Sequence, residues 1–333
     1  MEPVKRPKGV HCGLLLACAL GLLGCGKAQP SVVVYTSVDQ VYAEPILKDF
    51  EQRTGIRILP VYDVEATKTT GLATRLAAEK GSPRADVFWN NEFAQTLRLK
   101  EDGVFAEYRS PSAAGLPPAF LDPDGLWAGV GGRARVFLVN TRIVQENEYP
   151  KSILDLLNPA YPADRIGIAM PLFGTSATQA AALYAAWGPE KAHRFFNDVK
   201  ARGVRIVDGN SVVRNMVVDG QLMFGLTDTD DAEGAVRKGA PVKVIVPDQD
   251  SLGTLVVPGT VAMVRGSPHP EQAKALIDYL LLPETEQALM RVGSCQWPLR
   301  GGGSSLKVME VGLDEIQRSL AQAMAELREV FVR

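Results

Sequence analysis

Three aspartates, Asp228, Asp230 and Asp231, lie within four residues of one another and follow a short apolar run that is typical of a buried strand. Carboxylates are hard oxygen donors that suit Fe(III), Mn, Mg or Ca. A helix is predicted to start here, and acidic residues also favour the first turn of a helix for dipole reasons alone. Three acids in four residues exceed what capping needs, so we expect them to contact a positively charged part of a ligand.

Two further stretches could bind a negatively charged part of a ligand. Gly174, Thr175 and Ser176 directly precede one predicted helix, and Asn210 and Ser211 open another. Free backbone N–H groups at the N-terminus of a helix, together with its dipole, attract phosphate or carboxylate. The alternative is that Ser176 and Asn210 only cap their own helices.

Other catalytic or metal-binding patterns are weak. Cys295 is the only conceivable nucleophile in the folded part, and a lone cysteine is more often a small buried hydrophobe. No histidine pair has the spacing of a zinc site, and neither G-x-S-x-G nor a phosphate-loop motif is present. With 36 Lys+Arg against 38 Asp+Glu, the formal charge is −2, which argues against a nucleic-acid partner.

The N-terminus has the pattern of an export signal. Three basic residues precede an apolar run of about 12 residues, which is too short to span a bilayer. The run ends in Leu-Leu-Gly-Cys25, which resembles the lipobox of bacterial lipoproteins, in which the cysteine carries the lipid. We therefore predict a signal peptide over 1–24 and a lipidated Cys25 followed by a tether to residue 31. Loss of Cys12 and Cys18 with the signal peptide leaves no pair for an intrachain disulfide.

Predicted strands and helices alternate along the rest of the 333-residue chain, and these elements must position the residues described above. The predicted strands are 32–35, 56–62, 85–89, 135–140, 166–170, 204–207, 222–226, 242–246 and 259–264. The predicted helices are 42–54, 69–80, 92–100, 178–187, 189–201, 211–218, 230–238, 269–281, 284–292 and 313–331. This alternation predicts an α/β fold with mostly parallel sheets covered on both faces. We predict two lobes, 32–139 plus 259–333 and 140–258, with a ligand cleft between them.

Four parts of the sequence resemble the extracellular solute-binding proteins (family 1) of bacterial ABC importers, specifically the ferric-iron-binding branch. They are VYTSVDQ (34–40) with FEQRTGI (50–56), ADVFWNNE (85–92), GRARVFLVNT (132–141) and VDGQLMFGLTDTDDA (218–232). The resemblance spans nearly all of residues 32–300. It implies a two-lobed periplasmic-binding fold of type II, a role in transport without catalysis, and docking on a membrane permease.

The resemblance also implies a ligand site. Ferric members bind iron through a histidine after the first strand, an acid after the third, and two adjacent tyrosines. The matching residues here are Asp39, then Glu92 or, one residue earlier, Asn91, and then Asp230 with Asp231, so the tyrosine pair is missing. The anion that completes the iron site, phosphate or carbonate, would contact Arg133, Gly174, Thr175, Ser176, Asn210 and Ser211. Arg133 and Arg135 could also be surface residues on a strand.

The sequence thus predicts a monomeric, exported lipoprotein that captures ferric iron, or another hard cation with an anion, and delivers it to an ABC permease and its ATPase. The alternative ligand is a phosphorylated organic solute, either an aminoalkylphosphonate or a sugar phosphate. A ligand sensor and an enzyme that uses Cys295 are less favoured functions.

Overall fold

The computed structural model describes residues 1–2, 29–63, 70–300 and 306–332. Residues 3–24 of the predicted signal peptide and Cys25 lie outside these residues. In the part of the chain that is described, no helix is both long and apolar enough to cross a membrane.

The first lobe is a sheet with helices on its faces. Its strands are β1 (Ser31–Thr36), β2 (Arg57–Tyr62), β3 (Val87–Asn90), β4 (Phe105–Ala106) and β10 (Val256–Val264). Its helices are α1 (Gln40–Thr54), α2 (Thr70–Ala78), α3 (Ala94–Glu101), α8 (Pro270–Leu280) and α9 (Pro283–Val292). The pairs β1–β2 and β1–β3 are parallel, whereas β10 pairs antiparallel with β3.

The second lobe repeats this arrangement. Its strands are β6 (Ile166–Ala169), β7 (Arg205–Val207), β8 (Phe224–Asp228) and β9 (Val242–Ile245). Its helices are α4 (Gly174–Trp187), α5 (Pro189–Arg202), α6 (Asn210–Val218) and α7 (Thr229–Arg237). Because β6 is parallel to both β7 and β8, the carboxyl ends of these strands, and the helix starts that follow them, meet at one edge.

One long strand, β5 (Ala128–Asn140), belongs to both lobes. Residues 128–134 of β5 pair with β10, and residues 135–140 pair with β8 and β9. The strand order is therefore β2-β1-β3-β10-β5-β8-β6-β7, with antiparallel pairing at the centre and parallel pairing at both sides. The predicted α/β class and two-lobed organisation are confirmed, with more antiparallel pairing than expected.

The strand β5 begins seven residues earlier than predicted, at a glycine-rich stretch. Here side chains approach the backbone closely: a Cβ on Gly129 would lie 2.7 Å from Leu299, and one on Gly131 would lie 2.8 Å from the Cys295 sulfur. The glycines therefore serve tertiary packing within a strand, a role that local propensity does not reveal.

The C-terminal helix α10 (Leu313–Val332) packs along α4 and α5 of the second lobe and also contacts α3 of the first. Leu97 of α3, Ala180 of α4 and Leu327 of α10 belong to one buried apolar cluster. Before α10, residues 307–309 form backbone hydrogen bonds with Thr254. This packing differs from the predicted assignment of the whole segment 259–333 to the first lobe, because the apolar face of α10 is covered mainly by second-lobe helices.

Candidate functional site

A polar cavity of about 50 Å³ lies between the two lobes. This exceeds the roughly 10–15 Å³ that a cavity needs to hold one water molecule, so in this conformation it admits water and small ions. The first lobe and β5 contribute Asp39, Asn91 and Arg133 to its walls. The second lobe contributes Ala169, Met170, Phe173, Gly174, Thr175, Ser176, Asp208, Gly209, Asn210, Asp228, Asp230 and Asp231.

Asp228 is the centre of the hydrogen-bond network around this cavity. It ends β8 directly opposite Arg135 of β5, and its carboxylate accepts a bond of 2.6 Å from Arg135 Nη1. It also accepts from Thr175 Oγ1 at 2.6 Å, Asn210 Nδ2 at 3.1 Å and Arg133 Nη1 at 3.3 Å. Burial alone raises the pKa of Asp228, but Arg135 and Arg133 outweigh it, so the pKa lies below its ordinary value and the carboxylate stays ionised.

Two arginines enter the site from β5. Arg133 and Arg135 are two residues apart in a strand, so both point to the same face, and their exposed fractions are only 5% and 1%. Buried guanidinium groups need partners, and the predicted possibility that they are surface residues is wrong. The pKa of Arg133 is raised because Asp230 and Asp228 outweigh the effect of its burial.

Arg135 joins the starts of two helices. Its guanidinium donates to Thr175 Oγ1 at 3.3 Å and Ser176 Oγ at 3.4 Å on α4, and to Asn210 Oδ1 at 3.0 Å on α6. Arg135 thus holds the side chains of Ser176 and Asn210, and Asn210 also donates to Asp228. The alternative that these two residues only cap their helices is wrong, because the N-cap residues are Phe173 and Gly209 and neither helix has a side-chain cap. The N-termini of α4 and α6 consequently meet at one wall of the cavity, where a helix dipole favours an anion.

The remaining predicted aspartates also line the cavity. Asp230 contacts Arg133 Nη1 at 3.0 Å, Asp231 contacts Arg214 Nη1 at 2.7 Å, and Asp39 lines the cavity from the start of α1. Within residues 29–63, 70–300 and 306–332, no group of three or more His, Cys, Asp or Glu side chains is arranged to hold a metal ion. The carboxylates of Asp228, Asp230 and Asp231 instead face arginines, so cation binding requires some of them to turn toward the cavity.

Glu92 and Ser211 are not among the residues that line the cavity. The Glu92 carboxylate is 1% exposed and caps α3, accepting from the backbone N–H groups of Ala94 at 2.5 Å and Gln95 at 2.9 Å. Burial raises its pKa, although these bonds lower it in part. Of the two predicted positions, it is Asn91 that faces the cavity.

Sequence reasoning missed several residues of the site. Arg135, Asp208 and Phe173 take part in the network or line the cavity, but none was assigned a role. Side chains alternate between the two faces of a strand, so Arg135 must share the face of Arg133 and could have been predicted from it. Asp208 and Phe173 lie on loops before α6 and α4, and only the meeting of those helices reveals them.

Cys295 does not have the environment of a nucleophile. Its side chain is 4% exposed, and burial, followed by the nearby Glu286, raises the pKa of the thiol to about 12. A reactive cysteine needs a low pKa and access to solvent. Cys295 instead packs against the backbone of Gly131.

Two α/β lobes that share a central strand, with a polar ligand cleft between them, define the class of periplasmic solute-binding proteins. The family model for "Bacterial extracellular solute-binding protein" matches residues 82–302. The chain belongs to this family, whose members bind solutes for transport.

The chain is similar to several known proteins over most of their length. It is 25% identical over 295 residues to the major ferric iron-binding protein of Neisseria meningitidis serogroup B, an alignment that covers 86% of this chain and 85% of that protein. The ferric binding protein from Campylobacter jejuni superposes with a TM-score of 0.80 at 21% identity, over 90% of this chain and 99% of that one. AfuA from Actinobacillus pleuropneumoniae, solved with fructose-6-phosphate, superposes with a TM-score of 0.79 at 22% identity, over 91% and 99%. These structural similarities establish the fold.

Proposed function

We propose that the chain is the solute-binding component of an ABC importer and that its cargo is ferric iron, or another hard cation, bound together with a small anion. The observation that carries this proposal is the cavity itself, which is lined by five aspartates and by the first residues of the helices α4 and α6. The names of ferric iron-binding relatives in Neisseria and Campylobacter support the same cargo.

The charges around the cavity favour a ligand with a net positive charge, in which the charge of the cation exceeds that of the anion. Five aspartates line it: Asp39, Asp208, Asp228, Asp230 and Asp231. Among the described residues, three arginines lie at its wall or on these aspartates, namely Arg133, Arg135 and Arg214. Carboxylate oxygens suit Fe(III), and Arg133 with the starts of α4 and α6 suits phosphate or carbonate. Asp230 and Asp231 then replace the tyrosines that other ferric members use.

A phosphorylated organic solute is the second candidate. Two observations favour it: the aspartates that would bind a metal are paired with arginines, and AfuA was solved with a sugar phosphate. The phosphate would lie on the same helix N-termini, and the aspartates would accept hydrogen bonds from hydroxyl or ammonium groups. A hexose phosphate is too large for about 50 Å³ and requires a wider cleft.

Native mass spectrometry of the protein, purified without refolding and compared with an acid-denatured control, distinguishes the two ligands. We expect an extra mass that matches iron, with or without phosphate, and its loss in the variant Asp230→Ala/Asp231→Ala. An adduct of an organic phosphate without metal would assign the second function. A metal adduct that survives the double substitution would contradict the assignment of these aspartates.

The proposed cellular setting follows from the N-terminal sequence and the family. Cleavage before Cys25 and its lipidation would tether the protein to a membrane outside the cytoplasm, where it would deliver cargo as a monomer to a permease and ATPase. We place the lobe boundaries near residues 140 and 258, at the end of β5 and near the start of β10, with hinge motion at those strands. A sensor role would leave the binding site unchanged and differ only in the membrane partner.

A further inference from the structure

We propose that Glu92 is a positioning residue: its hydrogen bond to Thr178, which joins the two lobes, sets the N-terminus of α4 for the ligand. This role replaces the ligand role that the sequence suggested for Glu92. It rests on the proposed function only in assuming that an anion lies at the start of α4.

The first-lobe side of this contact is rigid. Each oxygen of Glu92 accepts one backbone N–H of α3, and Oε1 also accepts from Asn90 Nδ2 at 3.2 Å. Asn90 is itself held by Ser37, whose hydroxyl donates to Asn90 Oδ1 at 2.5 Å. A carboxylate fixed by this many donors cannot turn into the cavity, but one lone-pair direction of Oε2 is left for a donor from the other lobe.

That donor is the hydroxyl of Thr178 on α4, which lies 3.1 Å from Glu92 Oε2. The same hydroxyl lies 3.3 Å from the carbonyl oxygen of Gly174, four residues earlier in α4. A hydroxyl has one proton, so Thr178 can donate fully to only one of the two acceptors. With the lobes together it can donate to Glu92, and when they separate only the bond within the helix remains.

Both ends of this contact adjoin residues of the cavity. Asn91, next to Glu92, lines the cavity, and its carbonyl oxygen accepts a bond from Arg133 Nη2. Gly174 is the first residue of α4 and also lines the cavity, followed by Thr175 and Ser176. The Glu92–Thr178 bond therefore fixes the distance between the two sets of residues that must grip one ligand.

The test compares Thr178→Val and Thr178→Ser with the wild type. Valine keeps the shape of threonine but removes the hydroxyl, whereas serine restores it. Thr54→Val is a matched control, because the Thr54 hydroxyl makes the same type of bond to the carbonyl four residues back, at 2.8 Å to Phe50, on the outside of the first lobe. The probes are ferric nitrilotriacetate and inorganic phosphate, supplied together and separately, with affinity and dissociation rate measured for each protein.

Removing the donor to a buried carboxyl group shifts an equilibrium constant by about ten- to a hundredfold. Because Thr178 has a second acceptor, we expect the lower limit: about tenfold weaker binding for Thr178→Val, mostly from faster dissociation. We expect near wild-type binding for Thr178→Ser and Thr54→Val. An affinity of Thr178→Val within twofold of the wild type would overturn the proposal, as would an equal loss in Thr54→Val.

If the wild type binds neither probe, the proposed function fails but the positioning contact is still tested. Small-angle X-ray scattering of the ligand-free proteins then tests whether the Glu92–Thr178 contact holds the two lobes together. A larger radius of gyration for Thr178→Val than for the wild type and Thr178→Ser supports the contact, and identical scattering of all three contradicts it.

Discussion

Substitution of Asp228 by asparagine removes the only carboxylate that contacts Arg135 among the described residues. Asparagine has the same shape, but it presents an amide group to four donors that now point at Asp228. Arg135 would keep neutral partners such as Gln179 and Asn210, while its charge would remain buried. Breaking a buried ion pair by removing one partner costs about 3–5 kcal/mol. For Asp228→Asn we expect a loss of this size in the free energy of unfolding at pH 7.5.

Urea unfolding at pH 7.5 measures the loss, and calorimetry should find a melting temperature lower by roughly 6–20 °C. Asp231→Asn is the matched control. Its partner Arg214 is partly exposed, as is Asp231 itself, so the control should lose no more than about 1 kcal/mol. Equal losses in the two variants would show that burial of the Asp228 network is not the cause.

The pH dependence gives the same prediction an independent check. The pKa of Asp228 is lower in the folded chain than its ordinary value, so its contribution to stability is present above a pH of about 4 and is lost as the pH falls through the folded pKa. The gap between wild type and Asp228→Asn should therefore narrow below about pH 4. Inorganic phosphate should also stabilise Asp228→Asn more than the wild type, because Arg135 then lacks its carboxylate partner and Arg133 keeps only Asp230. A stable Asp228→Asn at pH 7.5, within 1 kcal/mol of the wild type, would refute this reasoning.

Two further predictions concern the thiol of Cys295 and the glycine Gly253, which precedes β10. Because burial raises the pKa of Cys295 to about 12, iodoacetamide at pH 8 should leave Cys295 unmodified in the native protein and alkylate it only in guanidinium. Rapid labelling of Cys295 in the native state would contradict the buried environment. Gly253 has φ of +83°, and a Cβ there would lie 2.6 Å from the backbone of Val308, so Gly253→Ala should cost about 2–4 kcal/mol in urea unfolding. The control Gly239→Ala has a similar φ of +72° and open space around the Cβ position, so it should cost only about 1 kcal/mol.

Periodicity predicted most of the fold because the strands are short apolar runs and the helices end at glycines. For example, α1 was predicted to end at Gly55, and Gly55 indeed has a left-handed φ of +70°. The first half of β5 was missed because its glycines are required by side chains that arrive from residues 295–299. The packing of α10 on α4 could not be predicted either, since an amphipathic helix does not reveal which apolar face it will cover.

The site was predicted in outline but not in its connections. Patterns of acids and helix starts located Asp228, Asp230 and the start of α4, because charge and helix polarity act locally. Those local patterns do not predict which residues pair across the sheet. The register of β5 against β8 places Arg135 opposite Asp228. Glu92 was assigned to the cation side because the sequence cannot tell a carboxylate that faces a cavity from one that caps its own helix.

The position of α10 on the second lobe has a consequence for the order in which the chain can complete its structure. Helix α4 precedes its cover on α10, which includes Leu327, by more than a hundred residues and is therefore synthesised well before it. Until then the part of α4 that packs on α10 lacks that partner, although α4 also packs on α5. The packing around α4 is therefore completed only after α10 has been synthesised, and a fragment cut at residue 258 would leave this part of α4 uncovered.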